Sequence, residues 1–179
     1  MREAFVMIFL DLINLKKIRK AIVYLLCIVL TLWLQTMVFS RVAFLGAKPF
    51  FVPALVVAIG LFEGGIWGGV LGLVTGFYCD MSLSGNTIQF TVFCTACGFF
   101  SGCLVDFVIN RRFVSYMLLA ALTLLAAAFI QAAPLWLFRD TAPAPLFSVA
   151  GLQAVWSLPF AVLFYYITRA IAGMESTQT

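Results

Sequence analysis

The sequence predicts an all-α integral membrane protein of six transmembrane helices, with the second and third spans forming a short hairpin. Three observations carry that prediction. Apolar residues make up 64% of the chain and charged residues 10%, against roughly 45–50% and about 25% in an ordinary globular domain. The apolar residues collect into long runs, one of them about half again as long as a bilayer requires, and the mean hydropathy is +1.12. The basic residues flank those runs and divide unequally between the two sides of a membrane.

A helix crossing about 30 Å of hydrocarbon needs roughly 20 residues at 1.5 Å per residue. Residues 21–40 meet that need between Lys20 and Arg41 and form the first span. Between Pro49 and Tyr78 the only charged residue is Glu63, and one helix through the whole stretch would be about 45 Å long. Glu63-Gly64-Gly65 divides it, because two glycines relax the backbone and a carboxylate seeks water. Each arm of the resulting hairpin is short for the bilayer, a mismatch that local thinning or shielding by neighbouring helices accommodates. The fourth, fifth and sixth spans are expected at about residues 87–108, 114–138 and 146–168.

Lys and Arg test that count, since they gather in short cytoplasmic loops. Six spans with a cytoplasmic N-terminus put Arg2, Lys16, Lys17, Arg19, Lys20, Arg111, Arg112 and Arg169 inside, and Arg41, Lys48 and Arg139 outside, eight of the 11 basic residues against three. Reading the stretch around Glu63 as one helix would leave six inside and five outside. The six-span arrangement puts both termini on the cytoplasmic side of the membrane. Residues 1–20 then form an interfacial segment whose basic cluster attracts anionic headgroups. Residues 21–170 are the membrane domain and 171–179 a polar cytoplasmic tail. The apolar stretch after the basic cluster is a full span, so it is expected to remain as an anchor and not to be cleaved as a signal peptide.

Cys27, Cys79, Cys94, Cys97 and Cys103 are an odd set lying largely within spans. Cys94-Thr95-Ala96-Cys97 spells the spacing of redox and zinc sites, but it lies in an apolar helix of a chain without histidine. Small packing side chains are the expected role. Neither a Ser/Lys dyad nor histidine supplies acid–base groups, so an enzyme is not expected, and no cofactor, metal or nucleic acid is called for.

The informative pattern is glycine. Helices in lipid associate by close packing, which small residues at i and i+4 permit. Gly64, Gly68, Gly72 and Gly76 repeat at that interval, Gly65 and Gly69 widen the row, and Asp80 stands at its next step. The fourth span carries Cys94, Gly98 and Gly102, ending in Asp106, with Ser101 beside the row. Glycine costs about 1 kcal/mol against alanine within a soluble helix, so a concentration of this kind needs an offset. Close helix approach supplies one, either within this chain or toward another membrane protein; the two rows face each other or a shared partner helix.

Asp80 is expected at the outer surface, and Glu63 and Asp106 toward the cytoplasm near Arg111 and Arg112, as boundary or salt-bridge residues. A ligand cavity would need convergent polar groups, and Gln35, Gln89, Gln131 and Gln153 would furnish one if all faced inward at one depth. Pro134 and Pro159 are expected to kink the last two helices, and Trp67 and Trp136 to anchor at the interfaces.

The run Gly68-x-x-x-Gly72-x-x-x-Gly76-x-x-x-Asp80-x-x-x-x-Gly85, preceded by the apolar stretch 51–62, resembles the MreD family of rod shape-determining membrane proteins. The turn Ser84-Gly85-Asn86 lacks the proline often found there, and the cysteines are not a feature of that family. The resemblance implies a non-enzymatic role in bacterial cell elongation. It implies partnership with an MreC-like bitopic protein and, indirectly, with the elongation glycosyltransferase and transpeptidase and an MreB-type filament. It also implies a six-helix fold similar to the S components of vitamin transporters, which makes a small-solute binding subunit the alternative. On this reading Gly64, Gly68, Gly72, Gly76, Asp80, Gly85, Gly98, Gly102 and Asp106 serve helix packing and partner docking. S components carry a small-residue row in their first helix, and residues 21–40 have none.

Overall fold

The computed structural model describes residues 15–39, 49–84, 88–107, 112–139 and 143–173. They form six α-helices: α1 Leu15–Leu34, α2 Val52–Glu63, α3 Gly65–Cys79, α4 Gln89–Phe107, α5 Phe113–Arg139 and α6 Pro143–Gly173. Five-residue π-helical turns at Gln35–Phe39 and Asp80–Ser84 extend α1 and α3. No strand occurs among the described residues.

Three helices contain stretches long and apolar enough to cross a membrane, Arg19–Met37, Phe113–Ala132 and Ser148–Gly173. The other apolar helices are shorter. α2 has 12 residues and α3 has 15, about 18 and 22 Å at the helical rise. They are short because the chain reverses at Gly64, whose φ of +91° belongs to a region that side chains avoid. Nothing lies within 4 Å of the position a Cβ would take there, so the backbone and not space calls for glycine.

α1 spans Leu15–Leu34, so the backbone at Lys16, Lys17, Arg19 and Lys20 is helical. Lys and Arg are strong helix formers, so the basic cluster suits a helical backbone. α6 continues to Gly173, past the expected end of the sixth span at about residue 168. Residues 1–14, the tail from 174 onward and the turn at Gly85 lie outside the described residues.

α2 is the axis of the bundle. Every residue from 52 to 61 is buried, as expected of a helix that is apolar all round, and α3, α4, α5 and α6 surround it. α1 packs more lightly, against α2, α3 and α6. Phe51 stacks on Phe160 with ring centroids 4.7 Å apart, while Phe62 and Tyr116 both reach the Tyr165 ring, at 5.5 and 5.3 Å. These contacts hold α6 against both α2 and α5.

Burying a helix end exposes a problem, because its first N–H groups lack partners within the helix. Here other helices supply them. The Phe50 N–H donates to Ser157 Oγ at 3.0 Å and the Phe51 N–H to Gln35 Oε1 at 3.4 Å, while Gln35 Nε2 donates to the Pro49 carbonyl at 2.7 Å. Proline in the first turn has no N–H to satisfy. Ser157 stands about halfway along α6, so α2 starts inside the bundle at the mid-height of α6. Tyr116 ties the layers together from α5, its hydroxyl lying 3.1 Å from the Ala54 carbonyl and 3.0 Å from that of Ala161.

Candidate helix-packing and docking site

The two glycine rows run antiparallel and meet backbone to backbone. A Cβ on Gly68 would stand 2.5 Å from the Gly98 carbonyl oxygen; one on Gly72, 2.5 Å from that of Cys94; one on Gly76, 2.5 Å from that of Phe90. Gly102 presses in the same way on the backbone of Gly64 and Gly65. Each four-residue step along α3 is thus matched by a four-residue step back along α4. A Cβ at any of these positions would overlap backbone atoms, which cannot swing aside as a side-chain tip does.

Gly60, on α2, is a member of the seam that the sequence reading did not single out. A Cβ there would collide with Ser101 Oγ and the Gly98 carbonyl, and one on Gly68 would stand 2.6 Å from Gly60 Cα. Three helices therefore converge at Gly60, Gly68 and Gly98. The signal was present, since Gly60 continues the four-residue row through Gly64 on the other side of the turn. Ser101 is buried and returns its hydroxyl proton to the Gly98 carbonyl at 2.9 Å. Gly69 differs from its neighbours: its Cβ would meet Phe99 Cβ at an ordinary 3.5 Å.

Asp80 closes this pair of helices at the end where α3 stops and α4 begins. Its carboxylate accepts the Phe90 N–H at 2.9 Å, the Thr91 N–H at 2.7 Å and the Thr91 hydroxyl at 2.6 Å. A carboxylate at the first turn of a helix satisfies unpaired amides and meets the positive end of the helix dipole. Asp80 is 7% exposed, a more buried position than a surface boundary residue would have. The backbone of Asp106 lies in the last turn of α4; its side chain is outside the described set.

At the opposite end, Glu63 Oε1 accepts the Tyr24 hydroxyl proton at 2.6 Å and pairs with Lys20 Nζ at 2.9 Å. The expectation had placed Glu63 near Arg111 and Arg112; its observed partners come from α1. Those two contacts secure the lightly packed first helix to the hairpin turn. Lys20 and Tyr24 are one turn apart and share a helix face, the signal by which sequence could have found them.

The four glutamines do not converge. Gln35 is committed to the start of α2, and Gln89 is exposed. Gln153 Nε2 donates to Gln131 Oε1 at 3.2 Å between α6 and α5, while Gln131 Nε2 is buried without a partner among the described residues. The five cysteines are all free thiols, and Cys94 is wholly buried in the glycine seam. No cluster of metal-ligating side chains occurs among the described residues.

The glycine rows are thus filled by this chain's own backbone, leaving other surfaces to face outward. One is an apolar groove of about 510 Å³ between α4 and α5, lined by Ile88, Gln89, Val92, Phe93, Ala96 and Ile130. It lies on the side of α4 where that helix makes little contact with α5. Set beside protein-family models, curated proteins and solved structures, the chain matches none of them.

Proposed function

We propose that this chain is a non-enzymatic scaffold subunit of the bacterial cell-elongation machinery, an MreD-like protein that receives the transmembrane helix of an MreC-like bitopic partner. Six crossings of the plasma membrane, with both termini cytoplasmic, are the topology that goes with this reading. The elongation glycosyltransferase and transpeptidase, and an MreB-type filament, would join through that partner.

The observation that carries the proposal is the seam of Gly68, Gly72, Gly76 and Gly98, closed by Asp80. It is the stretch in which the resemblance lies, and it binds α3 to α4 so closely that the pair acts as one rigid wall. The glycines build the wall, and the docking face lies beside it, at the groove between α4 and α5. A helix entering that groove would make the dense van der Waals contact that drives association in lipid.

Co-purification tests this. The chain is co-expressed with the product of a neighbouring gene encoding one span and an extracytoplasmic domain, and the pair is isolated through a tag on the partner. Ala96→Phe, which fills the groove, is expected to abolish capture while the variant accumulates and unfolds like the parent. Undiminished capture by that variant, with normal cell shape, would sink the docking assignment. A small-solute carrier is the second reading, favoured by the buried Gln131 Nε2, which has no partner among the described residues; tight binding of a vitamin by the purified chain would establish it instead.

A further inference from the structure

We infer that the inner end of the α5–α6 hairpin binds the headgroup of an anionic phospholipid between Arg112 and Arg169. The inference rests on the membrane reading and not on the partner-docking reading, whose failure would leave it standing.

Ring contacts place the two arginines at one end of the helix pair. The Phe113 ring lies 5.1 Å from that of Tyr165 and 6.3 Å from that of Tyr166, which sets the start of α5 against the last turns of α6. Arg112 directly precedes Phe113, and Arg169 stands one turn beyond Tyr165 and Tyr166, so both guanidiniums belong to the same end of the same helix pair. Both residues are exposed. The positive end of the α5 backbone dipole adds to them.

Among the described side chains, no carboxylate answers them. The Glu63 carboxylate is held by Lys20 and Tyr24 on α1, and Asp80 is held at the far end of the bundle by the first turn of α4. Among the described residues, neither guanidinium forms an ion pair. Arginine presents a planar fork of donors that fits phosphate oxygens in pairs, and basic pockets between helices on the cytoplasmic side are recognised headgroup sites.

The surface below the arginines selects a lipid over a free anion. Tyr166 is 58% exposed, Leu163 54% and Val114 68%, large side chains left uncovered on α5 and α6 within about two turns of the charged end. A phosphate on the arginines would carry its acyl chains down past these side chains, with Tyr166 at the boundary where amphipathic rings collect.

The purified full chain is placed in nanodiscs of phosphatidylcholine alone or of an equimolar mixture with phosphatidylglycerol, and thermal unfolding is followed. Retained phosphatidylglycerol is counted by native mass spectrometry after release into detergent. The mixture is expected to raise the unfolding temperature, and Arg112→Gln with Arg169→Gln is expected to remove most of that rise. Losing two headgroup contacts should weaken phosphatidylglycerol retention roughly thirty-fold. Arg112→Lys with Arg169→Lys keeps the charge without the fork and should fall between. Two results would overturn the assignment: an equal loss from Lys16→Gln with Lys17→Gln, which would mean diffuse attraction, or full stabilisation by inorganic phosphate, which would mean a plain anion site.

Discussion

Gly68 and Gly98 occupy each other's side-chain space: the carbonyl oxygen of Gly98 lies 2.5 Å from the point where a Cβ on Gly68 would stand, and the Gly68 carbonyl fills the corresponding point for Gly98. Reciprocal contact of this kind fixes both the separation and the register of α3 against α4. It also explains why so many glycines occur in a helix that they individually weaken, since the dispersion gained along the seam exists only where side chains are missing.

Substituting the seam should therefore be severe. Overpacking a well-filled core costs about 1–3 kcal/mol and sometimes more, and backbone atoms have no rotamer by which to yield. Gly68→Val and Gly98→Val are each expected to fall at or beyond the top of that range, measured by thermal unfolding in detergent. Gly69→Ala serves as the control, because its new methyl would meet Phe99 at an ordinary 3.5 Å. That change should be neutral or stabilise by up to about 1 kcal/mol, the intrinsic preference of a helix for alanine. Equal losses at Gly68 and Gly69 would show that the seam is not the source of the effect.

Asp80 should behave as a helix cap supplied from a neighbouring helix. Its carboxylate accepts three hydrogen bonds from Phe90 and Thr91, and loss of a cap typically costs about 0.5–2 kcal/mol. Asp80→Ala is expected at the high end of that range. Asp80→Asn should be milder, because the remaining carbonyl oxygen still accepts an amide proton, and Thr91→Val milder again. Hydrogen exchange at Phe90 and Thr91 checks the mechanism directly: protection of those amides should fall in Asp80→Ala while the centre of α4 is unaffected.

Gln35 is expected to be more sensitive than its place at the end of α1 suggests. One amide answers both the Pro49 carbonyl and the Phe51 N–H at the buried start of α2. Gln35→Leu keeps the bulk and orphans both groups, each at about 1–3 kcal/mol. Gln35→Glu should recover part of the loss by accepting from Phe51. If Gln35→Leu unfolds like the parent, water or relaxation satisfies that end and the inward start of α2 is not held by this side chain.

The hairpin break and the glycine rows were legible in the sequence because they depend on local facts: two adjacent glycines beside a lone acid, and small residues at a fixed interval. Partners were harder to read. Ser157 answers Phe50 across 107 residues of chain and Tyr116 answers Ala54 across 62, separations over which no periodicity carries information. The groove at Ala96 was equally hidden, since it arises where α4 and α5 part and not from any motif. Gln35 and Gln131 illustrate the same limit from the other side: both are lone amides in apolar helices, yet one caps a buried helix and the other keeps a buried donor unpaired.

The ion pair between Lys20 and Glu63 offers the clearest measure of what holds α1 to the bundle. The side chains are 17% and 14% exposed and 2.9 Å apart, so water screens them less than a surface pair. Breaking a fully buried pair costs about 3–5 kcal/mol because a charge is stranded, and partial exposure should reduce this to about 1–3 kcal/mol here. Lys20→Met strands Glu63 with only the Tyr24 hydroxyl, and Glu63→Gln takes the carboxylate away from the Lys20 ammonium while leaving Tyr24 an oxygen to donate to. The double variant strands neither, so its loss should be smaller than the sum of the two single losses by on the order of 1 kcal/mol. The cycle is measured by thermal unfolding at low and high ionic strength. Strict additivity would mean that α1 is held by apolar contact alone. A coupling that persists at high salt would place the attachment in the pair itself, since only shielded charges keep their attraction when mobile ions are abundant.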